Sequence, residues 1–190
     1  LVIFVDCASN SSSELKILNE KRIKSIVIDH HQIYEKNKNE SNIIINPLKN
    51  FNNKEYSSFC ATALVYFFIK YTHDNYIKNI KFNKNKYLFF VAIATICDQM
   101  PLRGLNRIIV KEGINNFNFN EYNNFKKILN LKNKISSTDI GFILGPILNS
   151  AGRLGYSDLP FKLLIENNSS NINAISKKLI NLNNKRKIIQ

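Results

Sequence analysis

The chain has 190 residues, 44% of them apolar, enough for one sizeable domain, or one and part of a second, around a buried core. Its 27 Lys plus Arg against 14 Asp plus Glu give a formal charge of +13 at pH 7, which suits a polyanionic partner such as nucleic acid; heavy use of Lys, Asn and Ile leaves a purely compositional origin equally open. No run approaches the roughly 18 apolar residues of a membrane span, Leu1 to Val5 is too short and lacks the basic flank of a signal peptide, and Cys7, Cys60 and Cys97 form no CxxC or disulfide framework, so a cytoplasmic protein with reduced thiols is expected.

Leu1 to Val5 reads as a buried parallel strand that delivers Asp6 to the edge of a sheet. Ser11 to Ser13 offer caps for a helix through about Lys21, and Ile23 to Ile28 is a second β-branched run ending at Asp29. The β-α-β unit predicts that Asp6 and Asp29-His30-His31 meet in the crevice outside one sheet edge. After a polar stretch from Gln32 to Ser41, Asn42 to Ile45 reads as a third strand, stopped by Asn46-Pro47. Ser57 or Ser58 can cap a helix through about Tyr71, and Lys86 to Ile96 reads as an apolar helix ending at Cys97-Asp98. Pro101 and Gly104 hold the next residues out of a helix that begins near Asn106. Asn115 to Lys134 is Asn- and Lys-rich, a weakly amphipathic surface. Ser137-Thr138-Asp139 can cap a short helix, and Gly145-Pro146 with Gly152 to Gly155 predict a loop. From about Ile172 the spacing of Ile175, Leu179 and Leu182 is helical to Gln190. A first residue already in mid-strand, without Met, and a last residue inside a helical pattern give the expectation of a chain cut at both ends.

A carboxylate and two imidazoles at a strand end outline a metal site, and a mixed His and carboxylate set suits Mn²⁺, with Zn²⁺ a tighter competitor. A His pair alone is more often a surface feature, so the accompanying motifs decide. The run Val27-Ile28-Asp29-His30-His31 resembles the naming motif of the DHH phosphoesterases, and Val5-Asp6-Cys7 resembles their preceding metal-binding aspartate. Within that family, the segment from Thr95 to Arg107, with Asp98 just before Met100-Pro101-Leu102, is similar to a RecJ-type metal-binding segment. Gly145-Pro146-Ile147-Leu148-Asn149-Ser150-Ala151-Gly152-Arg153 resembles the Gly-Pro-Arg-x-Asn-Ala-x-Gly-Arg signature of RecJ-type exonucleases, absent from the family's pyrophosphatases and short-oligonucleotide hydrolases. The stretch Asn183 to Arg186 fits the start of a helix joining two catalytic subdomains.

The resemblance implies an α/β fold, a parallel sheet flanked by helices, with a catalytic subdomain over residues 1–168 and the start of a long connecting helix over 169–190. It implies that Asp6 bridges two divalent ions, Mn²⁺ or Mg²⁺, that His30 and Asp98 complete one shell, that His31 contacts the scissile phosphate, and that Asp29 orients the pair. Asn149, Gly152 and Arg153 would hold a substrate phosphate. The implied activity is metal-dependent hydrolysis of single-stranded DNA, 5′ to 3′, in repair and recombination, by a monomer that meets a helicase or single-strand-binding protein. Three departures stand out: the family's first Asp-rich motif is not in the chain, position 147 is Ile where the signature has Arg, and Cys7 and Ala8 stand where Gly is frequent. Weak or absent activity is therefore expected of the isolated chain. Two other readings compete: a DHH hydrolase of small phosphoesters such as cyclic dinucleotides, and a single-strand-binding module that has lost catalysis.

Overall fold

The computed structural model describes residues 1–34, 40–50, 56–77, 79–118, 120–130 and 134–189. The chain divides into two compact units, Leu1–Gly113 and Ile114–Gln190.

The first unit is built on three parallel strands, β1 (Val2–Val5), β2 (Ser25–Ile28) and β3 (Ile43–Ile45), in the order β1-β2-β3. The helix α1 (Ser12–Glu20), with Leu15 buried, connects the first two. Register places Val5 beside Ile28 and Ile28 beside Ile45, so all three strands stop level. The ladder runs one residue further: the Asp6 amide donates to the Ile28 carbonyl and the Asp29 amide to the Ile45 carbonyl, both at 3.0 Å. Asp6, Asp29 and Asn46 therefore leave the sheet side by side.

The short helix α2 (Pro47–Asn50) follows, then a 3₁₀ turn at Tyr56–Ser58 and three helices, α3 (Ala61–Tyr76), α4 (Lys84–Cys97) and α5 (Gly104–Asn115). Ile28, Phe59, Cys60, Ala63, Leu64, Val91 and Ile109 form the core that joins sheet to helices. The serines expected to cap α3 lie in the 3₁₀ turn instead, and the helix starts at Ala61 with Cys60 at the cap position. Burial of Phe59 and Cys60 draws the chain inward there, and the Asn106 amide group, 2% exposed, donates to the Ser58 carbonyl at 2.7 Å and the Pro101 carbonyl at 3.2 Å. α3 also runs five residues past the expected Tyr71, to Tyr76. α4 begins before Lys86 because the Asn83 side chain caps it, accepting from the Lys86 amide. α5 starts at Gly104 rather than Asn106, its first residue at φ 51°, a conformation that glycine adopts without strain.

The second unit is helical: α6 (Asn123–Leu129), α7 (Ser137–Asp139), a π-helical stretch Ile140–Leu144, α8 (Gly145–Arg153), α9 (Asp158–Ile165) and α10 (Ser169–Ile189). α10 packs on α6, α8 and α9 through Ile172, Ser176, Leu179 and Leu182. The cap of α7 is Ser136, whose hydroxyl accepts from the Asp139 amide while Asp139 reaches back to the Ser136 amide. The loop expected from Gly145 to Gly155 is a helix as far as Arg153. Pro146 falls in its first turn, where a missing N–H is tolerated, and Ile147, Ser150 and Ala151 bury one face at helical spacing. Among the described residues, no helix is long and apolar enough to cross a membrane.

α4 and α5 approach closely at Gly113, where an added Cβ would lie 2.7 Å from Ala92 Cβ and 2.9 Å from the Leu88 carbonyl oxygen. Gly113→Ala is expected to lower stability by about 1–3 kcal/mol despite alanine's better helix propensity. A urea midpoint equal to or above the parent's would show that the helices have room to separate.

Candidate metal centre

The level ends of β1 and β2 bring two acidic residues and two histidines to one edge of the sheet. His30, whose side chain is only 12% exposed, points its Nε2 at Asp6 Oδ1 and at Asp98 Oδ2, each 3.3 Å away. Asp98 arrives from the C-terminal cap of α4, its amide donating to the Ala94 carbonyl. Asp6, Ala8 and Gln99 take positive φ values of 63°, 75° and 55°, so the turns carrying both carboxylates hold non-glycine residues in the left-handed region. Such strain persists only where surrounding structure enforces it, and it concentrates at functional sites. Ala8, where the family resemblance points to frequent glycine, shows the reason in its own backbone.

Asp29 is 1% exposed and accepts from every side: the Ser9 amide at 3.0 Å, the His30 amide at 2.8 Å, the His31 amide at 3.3 Å and His31 Nδ1 at 2.7 Å. Burial pushes its carboxyl up, but the hydrogen bonds from Ser9 and His31 together outweigh that and hold it at about 2. The same contact raises His31, the Asp29 hydrogen bond outweighing the opposing effect of burial. With Nδ1 engaged, Nε2 is the nitrogen that His31 presents outward, and its ring stands 4.7 Å from that of His30.

Asn46 completes the frame. Fully buried, it donates to Ser9 Oγ and to the His31 carbonyl, both at 2.9 Å, while its own oxygen accepts from the Leu48 amide. Asn10 ties the same loops together nearer the surface, donating to the Gln32 carbonyl and accepting from the Tyr34 amide. Sequence reading missed Ser9, Asn10 and Asn46. Asn46 was visible only as a strand terminator; its equivalence in register to Asp6 and Asp29 was the signal.

The donor chemistry fits a divalent cation. One imidazole N–H cannot satisfy two carboxylates as well as a cation at their meeting point can, with all three as ligands, and Asp6, His30 and His31 have ligand atoms within 4.8 Å of one another. Asp29 holding His31 is the kind of carboxylate–imidazole pair that fixes tautomer and ring direction beside a metal.

Asn149, Gly152 and Arg153 belong to the second unit. All three are exposed on α8 at i, i+3 and i+4 spacing, hence on one face, with Arg153 in the last turn. Ile147 is 6% exposed on the opposite, packed face, so the residue that departs from the signature serves the core here.

Comparison with known proteins gives the chain a family and relatives. The model of the DHH family, N-terminal domain, matches residues 1–95. The chain is 27% identical over its full length to the single-stranded-DNA-specific exonuclease RecJ of Salmonella typhimurium, covering 35% of that protein, and 24% identical to RecJ of Thermus thermophilus, covering 28%. It therefore spans about a third of the length of the curated relatives it matches. A crystal structure of RecJ from Thermus thermophilus in complex with Mn²⁺ superposes on 98% of the chain with a TM-score of 0.87, at 23% identity, the match covering 28% of that structure.

The lowered carboxyl of Asp29 contributes stability above its ordinary value of 3.8, and this is lost as pH falls toward about 2; raised His31 contributes below its ordinary 6.5 and loses its share as pH rises through its folded value. Asp29→Asn is expected to cost about 2 kcal/mol near pH 5, with the gap to the parent closing below pH ~3. Urea unfolding across that range measures it, and a gap independent of pH would mean that shape, not charge, is what Asp29 supplies.

Proposed function

Because this chain belongs to the DHH family, we propose that it forms the catalytic core of a metal-dependent exonuclease acting on single-stranded DNA. The observation that carries the reading is the convergence of Asp6 and Asp98, from separate elements, on one nitrogen of His30. Similar crystal structures are complexes with Mn²⁺ or Mg²⁺, and the oxygen and imidazole donors here suit either.

Asp6, His30 and Asp98 would hold the cation, and Asp6 would bridge to a second. When bound, the ions supply a hydroxide at neutral pH and neutralise charge on the departing oxygen. His31 faces the scissile phosphate with Nε2. Asp29 fixes its direction through the Nδ1 hydrogen bond. Asn149 and Arg153 hold a substrate phosphate, for which the guanidinium fork is well suited. Gly152 lies exposed on the same face with open space around it, so its backbone is accessible to a phosphate drawn close to the helix. In this reading residues 1–168 form the catalytic subdomain and 169–190 begin the helix leading to a second. Degradation runs 5′ to 3′ and serves repair and recombination.

The test uses the chain with any residues that flank it in its own gene, Mn²⁺ and 5′-labelled single-stranded DNA. Asp98→Ala is expected to reduce nucleotide release by at least about a hundredfold, since even residues that only orient metal ligands cost 10- to 100-fold. The 190-residue chain alone is expected to turn over weakly or not at all. Tight binding without turnover in any divalent metal would support a single-strand-binding module, and cleavage of cyclic or short substrates alone would support a small-phosphoester hydrolase.

A further inference from the structure

The second unit carries an aromatic ring that neither the fold nor the proposed chemistry uses. Phe142 is 80% exposed, the most exposed aromatic side chain among the described residues. It lies in the π-helical stretch between α7 and α8, so that Ser137–Arg153 is one continuous helical run. Ile140 and Leu144 are buried on the inner side of the stretch, which turns Phe142 out. A π turn inside an α-helix is uncommon and often marks a functional site.

Most other described aromatic rings of this unit have partners. Phe117, Tyr122 and Phe125 stack on one another, and the Lys178 ammonium sits 4.5 Å above the Tyr156 ring. Phe161, 62% exposed, stands on α9, a separate helix from the run that bears the phosphate-binding residues. Outward positions recur along that run at Phe142, Asn149, Gly152 and Arg153, with about 10 Å of helix between the ring and Asn149.

Charge selects the occupant. From Ile114 to Gln190 basic residues outnumber acidic ones eleven to four. Three of those four acids are already engaged: Asp139 by the Ser136 amide, Asp158 by Lys162, and Glu166 by the Asn167 and Asn168 amides. A flat apolar ring in a unit of net positive charge, on the same helical run as a guanidinium, matches a ligand with planar bases on an anionic backbone.

We propose that Phe142 is a stacking platform for a base of single-stranded nucleic acid whose phosphate is held by Asn149, Gly152 and Arg153. This rests on the nuclease reading and adds to it a contact that grips every base without reading sequence, because each base offers a π face.

The sequence contains no Trp, so Phe142→Trp installs a single indole in the 190-residue chain. Its fluorescence is titrated, without divalent metal, with a single-stranded oligonucleotide and with an abasic strand carrying the same number of phosphates. Quenching by the first and not the second is expected. Phe142→Leu should bind the base-bearing strand roughly five- to a hundredfold more weakly and the abasic strand as the parent does, whereas Arg153→Ala should weaken both. Because Phe142 is so exposed, circular dichroism of Phe142→Leu should match the parent. If Phe142→Leu binds both strands like the parent while Arg153→Ala does not, the platform is overturned and nucleic-acid binding stands. If the parent binds neither strand, the platform falls, and the nuclease reading is judged separately by nucleotide release and its loss in Asp98→Ala.

Discussion

The level termination of three parallel strands is the constraint on which the rest of the first unit depends. Val5, Ile28 and Ile45 stand abreast, so the next residue of each strand emerges at the same height. Ladder hydrogen bonds that continue one step beyond the strands pin Asp6 and Asp29 before any side chain makes a contact. The sheet thus sets the spacing of the polar groups, and the side chains only refine it. One residue of slip in β2 would turn Asp29 from interior to surface, since successive side chains point to opposite faces.

Around that edge, burial and exposure divide the labour. Asp29 and Asn46 are buried and saturated with hydrogen bonds, and they hold the loops that carry Asp6, His30 and His31. Asp6 and Asp98 remain 61% and 46% exposed at their side chains, with few partners besides His30. A buried carboxylate without its donors would cost several kcal/mol, so the supporting pair is specified by folding itself.

Much of this was legible in the sequence. The apolar runs ending in Asp6 and Asp29 announced parallel strands with polar tips, and the parallel sheet flanked by helices follows from them. What escaped reading were effects set by tertiary contacts. Ser57 and Ser58 carry good capping chemistry, yet the buried Phe59 and Cys60 decide where α3 starts. Gly145-Pro146 and Gly152 look like turn residues, yet Ile147, Ser150 and Ala151 have a buried face to fill, and packing overrides local preference. Asn46 gave no periodic signal, because its importance lies in register with strands far away in sequence.

The contrast between buried Asp29 and exposed Asp6 and Asp98 also bears on how such a protein can change over evolutionary time. Mutations at Asp29 or Asn46 strand buried groups and are purged with the misfolded chain. Mutations at Asp6 or Asp98 remove charges that the fold does not require, and even relieve crowding of two carboxylates on one imidazole. A lineage released from selection at this sheet edge would therefore shed its exposed carboxylates first and keep its architecture. Descendants of this fold that have fallen silent should still carry the internal aspartate and asparagine, a fossil frame around an erased centre.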